Sequence, residues 1–107
     1  MIWRRLVPHA QTTYTRAVNY EWDEAKRAAN IAKHGVDFVD AEGVFFDDYA
    51  LTRRDPDSQD ENRMVTLGMG VSLRVLYVIW VERRGDTYRI ISARKASPGE
   101  IRQYQQG

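Results

Sequence analysis

The first strong pattern along the chain is helical and begins near residue 23. Asp23 suits an N-cap, an alanine-rich run follows it, and Gly35 stands where a glycine commonly ends a helix. We therefore predict a helix over residues 24–34. At 100° per residue, its small and apolar residues form one stripe with three polar residues beside it. The apolar stripe comprises Trp22, Ala25, Ala28, Ala29 and Ala32, and the polar residues are Lys26, Asn30 and Lys33.

Two further helices are predicted, one directly after the first and one at the end of the chain. Segment 36–46 has Asp37 as a suitable N-cap and supplies a second apolar face. Near the end, Ser97 is followed by Pro98 and, three residues after the serine, by Glu100. This is a capping-box signature and predicts a terminal helix.

Between these helices the apolar period changes to that of strands. Four segments fit, namely 51–54, 63–69, 74–82 and 88–95. A tight turn at Gly85 and Asp86 predicts that Trp80 lies opposite Ile91 in the last hairpin. We therefore expect an α+β fold, an antiparallel four-stranded sheet with two N-terminal helices and one C-terminal helix.

The chain length of 107 residues suits one domain, because a single core is typically built from about 100 to 150 residues. We assign residues 20–107 to that domain and expect residues 1–19 to be a poorly ordered N-terminal extension. The extension has no uninterrupted apolar stretch, and no other stretch approaches the length of a membrane span. These features predict a soluble, cytoplasmic protein.

Charge is segregated along the chain although the net charge is only +1. Residues 1–36 carry +3, residues 37–61 carry −7, residues 62–82 carry +1 and residues 83–107 carry +4. Basic segments that meet in the fold could bind a polyanion despite the near-neutral total. Alternatively, the acidic and basic segments pair as ordinary solvated faces.

The sequence contains no familiar signature of cofactor or metal chemistry. It lacks a phosphate-binding glycine loop, a dinucleotide fingerprint and a zinc-protease motif, and it has no cysteine. His9 and His34 are the only histidines, and the acidic stretch 55–60 lacks the glycine and terminal glutamate of a calcium loop. We expect neither a metal ion nor a cofactor.

Two cationic residues are candidates for a functional site, and each has a structural alternative. His34 ends the first helix, where it can simply favour the last carbonyls, but imidazole also titrates where general acid or base catalysis operates. Arg94 ends an otherwise apolar strand, and its planar guanidinium suits either a salt bridge or a phosphate clamp. It should share one sheet face with Arg83, near the opposite end of that face.

Several short motifs in a fixed order carry a resemblance to a known family. They are Glu21-Trp22-Asp23 with Lys26, Asn30 and Lys33-His34-Gly35-Val36; Glu61 and Arg63 before Leu67-Gly68; Glu82-Arg83; and Arg89-Ile90-Ile91-Ser92-Ala93-Arg94-Lys95-Ala96. Taken together, they resemble the BrnT-like toxins of bacterial type II toxin-antitoxin systems. Those toxins are small ribonucleases with a fold similar to that of the RelE toxins. The resemblance spans roughly residues 20–104 and does not include the N-terminal extension.

The resemblance implies a metal-independent endoribonuclease that inhibits translation and growth. In this reaction the 2′-hydroxyl of RNA attacks its own phosphodiester, which requires cations and a proton shuttle. We hypothesise that two arginines stabilise the pentacovalent phosphate, that a lysine or a histidine moves protons, and that two further cations bind the RNA backbone. The arginines that would stabilise the phosphate are Arg94 and Arg63. The residue that would move protons is Lys33 or His34, and the cations that would bind the backbone are Lys26 and Arg83.

The resemblance also implies a cognate, BrnA-like antitoxin that blocks the active surface. The DNA-binding part of this antitoxin would carry the complex to operator DNA and repress the operon. Acidic segment 37–61 could repel RNA from the wrong face or dock a basic segment of the antitoxin. A function of a different class is a non-catalytic binding module that partners a DNA-binding repressor.

Overall fold

The computed structural model describes residues 3–5, 18–60 and 62–107. Within this part of the chain there are three α-helices, one 3-10 helix and six strands. In chain order they are β1 (Arg4–Arg5), β2 (Asn19–Glu21), α1 (Glu24–His34), α2 (Phe38–Ala41), the 3-10 helix η1 (Glu42–Phe46), β3 (Leu51–Arg54), β4 (Arg63–Met69), β5 (Val75–Arg83), β6 (Thr87–Lys95) and α3 (Pro98–Gln106).

Helix ends are set by the capping residues that the sequence predicted. The Asp23 carboxylate accepts hydrogen bonds from the first-turn amides of α1, and Gly35 ends that helix with φ 69°. Ser97 and Glu100 form the predicted capping box of α3. The predicted helix over 36–46 is instead two short pieces, α2 and η1.

The six strands form one mixed sheet in the order β1-β3-β4-β5-β6-β2. The α+β class is confirmed, and β3 to β6 are the four antiparallel strands that were predicted. The prediction of a four-stranded, purely antiparallel, RelE-like sheet is only partly correct. β1 adds a two-residue antiparallel edge, and β2 pairs in parallel with β6. Strands of two and three residues are too short to produce a detectable period in the sequence.

The predicted register of the last hairpin is wrong by one residue near the turn. Arg83 lies opposite Thr87, and Trp80 lies opposite Ile90 rather than Ile91. The turn contains three residues rather than two, and its first residue, Arg84, takes a left-handed conformation with φ 58°. A β-bulge beside Trp80 leaves Ile91 as the extra residue and restores the predicted register beyond it.

The two sheet faces carry separate apolar clusters. The face covered by α2 and η1 contains the larger cluster, which includes Phe38, Phe45 and Trp80. We call the opposite face the outer face; its smaller cluster includes Leu67 and Tyr77 and packs against Tyr104 of α3. Side chains alternate between faces along each strand, so these clusters show which face each strand residue occupies.

The side of α1 that faces the sheet is not the side that carries the alanine stripe. Ala25, Ala28 and Ala32 are exposed, and the one buried residue of α1 is Asn30. The Asn30 amide donates to the carbonyls of Val36 (2.9 Å) and Ala93 (2.8 Å) and accepts from the Ala93 amide (3.1 Å). In the described structure, β2 pairs with β6 only at 87–89, so Asn30 satisfies backbone groups at an otherwise open strand edge.

The predicted N-terminal extension lies mostly outside the described residues. Of its 19 positions, Trp3 to Arg5 and residues 18–19 are described, and they include β1 and the start of β2. Trp3 packs against the outer-face cluster, with its ring centroid 6.4 Å from that of Tyr77. None of the described helices is long and apolar enough to cross a membrane.

Candidate functional site

Three of the six predicted site residues lie together beside α1. Lys26, Lys33 and His34 line a shallow groove of about 200 Å³. The other residues that line this α1 groove are Ala29, Asn30, Ile91 and Ser92. Lys26 and Lys33 lie seven residues apart on one side of α1, and His34 ends that helix. Ile91, the extra residue of the β-bulge, forms the opposite wall together with Ser92.

The α1 groove is lined by two lysines and by no carboxylate. Lys26 and Lys33 are exposed and His34 is half-buried, and none of the three has an ion pair with any other described residue. Their neighbour Arg27 differs, since its guanidinium donates to both oxygens of Asp37 at 2.8 and 2.9 Å. This hydrogen bonding raises the pKa of Arg27 and lowers the pKa of Asp37. The groove therefore offers cations whose hydrogen-bonding capacity is open to an anion.

The other three predicted residues lie on the outer face and do not line the α1 groove. Arg94 stacks on Tyr77, with the guanidinium carbon 3.9 Å from the ring centroid. It also forms a two-pronged ion pair with Glu100 of α3, at 2.8 and 3.0 Å. Hydrogen bonding from Arg94 lowers the pKa of Glu100. The structure is compatible with both predicted roles of Arg94, a salt bridge and a phosphate clamp. Its guanidinium binds a carboxylate, and a phosphate can take the place of that carboxylate.

Arg63 and Arg83 share the outer face with Arg94 but lie apart from it. Arg63 pairs with Asp55 at 3.4 Å. In the sheet, Arg63 lies two strands away from Arg94 and is displaced from it by four residues along the strand direction. These separations correspond to about 13 Å along the strands and about 10 Å across them. Arg83 is exposed at the far end of β5, as expected from the hairpin pattern. The six predicted residues therefore do not surround one phosphate.

The open edge of β6 connects the two groups of cations. Ser92 lines the α1 groove, and Arg94 follows it two residues later, about 7 Å along the strand. An extended RNA chain could therefore contact the groove and Arg94 by passing over this edge. The same path does not include Arg63 or Arg83.

Arg53 and Trp3 were not identified from the sequence as neighbours of Arg63 on the outer face. The guanidinium of Arg53 lies 4.1 Å from the Trp3 ring centroid, and both residues are on the outer face. Alternation along β3 was enough to place Arg53 on the same face as buried Leu51. Trp3 had no comparable signal, because it belongs to an edge segment without a period.

Metal-ligand side chains are dispersed through the described structure. No group of three or more histidine, aspartate or glutamate residues in the described ranges is arranged to hold a metal ion.

Comparisons with known proteins agree with the architecture. Residues 22–100 match the family model described as the ribonuclease toxin, BrnT, of type II toxin-antitoxin systems. Among solved structures, the chain is similar to the crystal structure of the Brucella abortus ribonuclease toxin, BrnT. The two are 31% identical, with a TM-score of 0.57, and the match covers 76% of this chain and 99% of that chain. No curated protein gives a significant match.

Proposed function

Because the chain belongs to the BrnT family of ribonuclease toxins of type II toxin-antitoxin systems, we propose that it cleaves RNA at the α1 groove without a metal ion. The observation that carries this proposal is the presence of Lys26, Lys33 and His34 around one groove that contains no carboxylate. A phosphodiester is attracted to such a groove, whereas an acidic site would repel it.

The proposed reaction is an attack by the RNA 2′-hydroxyl on the adjacent phosphorus. The O2′–P bond forms and the P–O5′ bond breaks, leaving a 2′,3′-cyclic phosphate and a 5′-hydroxyl. His34 or Lys33 accepts the proton from the 2′-hydroxyl, and a protonated group donates a proton to the departing O5′. Lys26, together with the lysine or histidine that remains charged, stabilises the added negative charge on the pentacovalent phosphate.

The outer-face arginines receive revised roles in this proposal. Arg94 lies close to the groove across the edge of β6, so it holds the phosphate next to the reacting one by exchanging Glu100 for an RNA oxygen. Arg63 and Arg83 are too far away to contact the same phosphate, and we assign them to the RNA backbone. This replaces the hypothesis that Arg94 and Arg63 stabilise the pentacovalent phosphate, whereas Arg83 keeps its predicted role.

The test of the α1 groove is RNA cleavage by purified single-residue variants. His34→Ala should slow cleavage by about 100-fold or more, as expected for loss of a general acid or base. Arg102→Ala is a matched control, because Arg102 is an exposed cation of α3 without an ion pair among the described residues. Wild-type rates for both His34→Ala and Arg94→Ala would refute the site assignment.

A type II toxin has an antitoxin partner, and we propose that this partner is a BrnA-like, DNA-binding protein. Three carboxylates of acidic segment 37–61 already form ion pairs with arginines of this chain: Asp37 with Arg27, Asp40 with Arg74 and Asp55 with Arg63. A basic antitoxin segment would therefore contact the remaining ones, such as exposed Asp48.

The partner proposal predicts binding that weakens with salt and complexes that bind operator DNA only when the antitoxin is present. An affinity that is equal at low and high salt would argue against docking on the acidic segment. Expressing the toxin without its antitoxin tests the catalytic proposal in cells. Growth arrest with RNA loss supports a ribonuclease, whereas unchanged RNA would favour a non-catalytic binding module.

A further inference from the structure

Two buried guanidinium nitrogens on the outer face have no hydrogen-bond partner. They are Nε of Arg53 and Nε of Arg63, and no other buried side-chain nitrogen or oxygen of the described residues is left without one. Asp55 forms an ion pair with Arg63 at 3.4 Å, but the contact lacks hydrogen-bond geometry. Buried donors without a partner are rare in folded proteins, and strain, a functional role or a bound water or ion accounts for them.

The two arginines are neighbours in the sheet. Arg53 lies opposite Val65 of β4, and Arg63 precedes Val65 by two residues on the same face. Their Cα atoms are therefore about 8 Å apart, from one strand spacing and two residues of strand length. Two side chains of this length can contact one anion between them.

Arg53 is held ready for such an anion without being neutralised. Its guanidinium stacks on Trp3, which in turn donates a hydrogen bond from Nε1 to Gln103 at 2.8 Å. Arg53 has no ion pair with any described residue, and Asp55 offers its carboxylate to Arg63 instead. Stacking fixes the plane of the guanidinium while leaving its positive charge available.

We propose that Arg53 and Arg63 form a phosphate subsite for the RNA chain on the outer face, separate from the α1 groove. The proposal rests on RNA being the substrate. A phosphate supplies several strong acceptor oxygens, which match the terminal nitrogens of the Arg53 fork, and these have no partner among the described residues. Trp3 acts as a positioning residue that orients Arg53.

The test measures binding of a 2′-O-methyl oligoribonucleotide, which lacks the attacking hydroxyl. Arg53→Gln should weaken binding about tenfold, which corresponds to the loss of one hydrogen bond to a charged group. It should also reduce the slope of log affinity against log salt by about 0.7, the value for one phosphate contact on a single strand. Arg53→Lys should preserve the slope because it keeps the charge.

Arg54→Gln is the matched control, since it removes the same charge from the next residue of β3, which points to the other face. Equal effects of Arg53→Gln and Arg54→Gln, or equal slopes for Arg53→Gln and wild type, would overturn the subsite. A structural role for Arg53 alone would give the same slope for Arg53→Lys and Arg53→Gln, and would also overturn it.

RNA cleavage by the wild-type protein separates this proposal from the ribonuclease proposal. If the wild-type protein cleaves RNA but Arg53→Gln has no selective effect on binding, the subsite proposal is wrong and the ribonuclease proposal stands. No cleavage by wild type, together with a selective loss of binding in Arg53→Gln, means that the activity is wrong and the subsite stands.

Discussion

Replacing Asn30 by alanine tests whether one side chain closes the open edge of the sheet. Its amide makes three hydrogen bonds, to the carbonyls of Val36 and Ala93 and from the amide of Ala93. The residue is only 7% exposed, so water does not readily replace these contacts. Each hydrogen bond contributes about 1 kcal/mol, and a buried group left without a partner costs about 1 to 3 kcal/mol. We expect Asn30→Ala to lower the free energy of unfolding by about 3 kcal/mol or more.

This loss is large beside the 5–15 kcal/mol that is typical of a whole domain. Urea denaturation at neutral pH measures it, and amide hydrogen exchange at Ala93 reports the local cause. The Ala93 amide should exchange slowly in wild type and much faster in Asn30→Ala.

Asn62→Ala is the control of matched chemistry, because Asn62 is exposed, and it should change stability by less than about 0.5 kcal/mol. A loss below 1 kcal/mol in Asn30→Ala, or continued protection of the Ala93 amide, would refute the edge-closing role.

Two further predictions concern stability. Hydrogen bonding from Arg94 lowers the pKa of Glu100 below its unfolded value of about 4.3, so the ion pair should stabilise the fold above about pH 5 and lose that effect as pH falls through the lowered pKa. The stability difference between wild type and Glu100→Gln, followed by urea denaturation, should therefore shrink on acidification; a pH-independent difference would contradict this. Gly70→Ala should destabilise by more than 1 kcal/mol, because its Cβ would lie 2.7 Å from both Asp40 Oδ1 and Leu76 Cδ1, and an unchanged thermal midpoint would count against this close approach.

Local signals in the sequence located the helix ends accurately. Asp23 and Gly35 bound α1 as predicted, since capping depends on residues adjacent in the chain. The hairpin register failed because Arg84 adopts a left-handed conformation that glycine usually occupies, which lengthened the turn by one residue. Nothing in the residue type of Arg84 indicates that conformation.

Tertiary contacts were the part of the fold that periodicity could not supply. Alanines are small enough for either a buried or an exposed helix face, so the stripe along α1 did not decide its orientation. The decisive contact pairs Asn30 with Ala93, which lies 63 residues away. Such a bond depends on where β6 lies without a neighbouring strand, and this follows from the whole sheet order.

The grouping of the candidate residues was predictable where they lie on one helix and unpredictable where they lie on several strands. Lys26 and Lys33 share the α1 groove because a spacing of seven residues places them on one side of α1, and His34 lies at the end of the same helix. Alternation predicted that Arg83 and Arg94 share a face. It could not show that Ser92 and Arg94 lie along the edge of β6 beside α1, because this depends on the order of the whole sheet.

The most direct test of the central claim is analysis of the RNA ends produced by purified protein in the presence of a strong metal chelator. Attack by the 2′-hydroxyl predicts continued cleavage, with 2′,3′-cyclic phosphate and 5′-hydroxyl ends, and near-complete loss of those products in His34→Ala. Loss of wild-type cleavage on chelation, or products with 5′-phosphate and 3′-hydroxyl ends, would contradict metal-independent cleavage in the α1 groove.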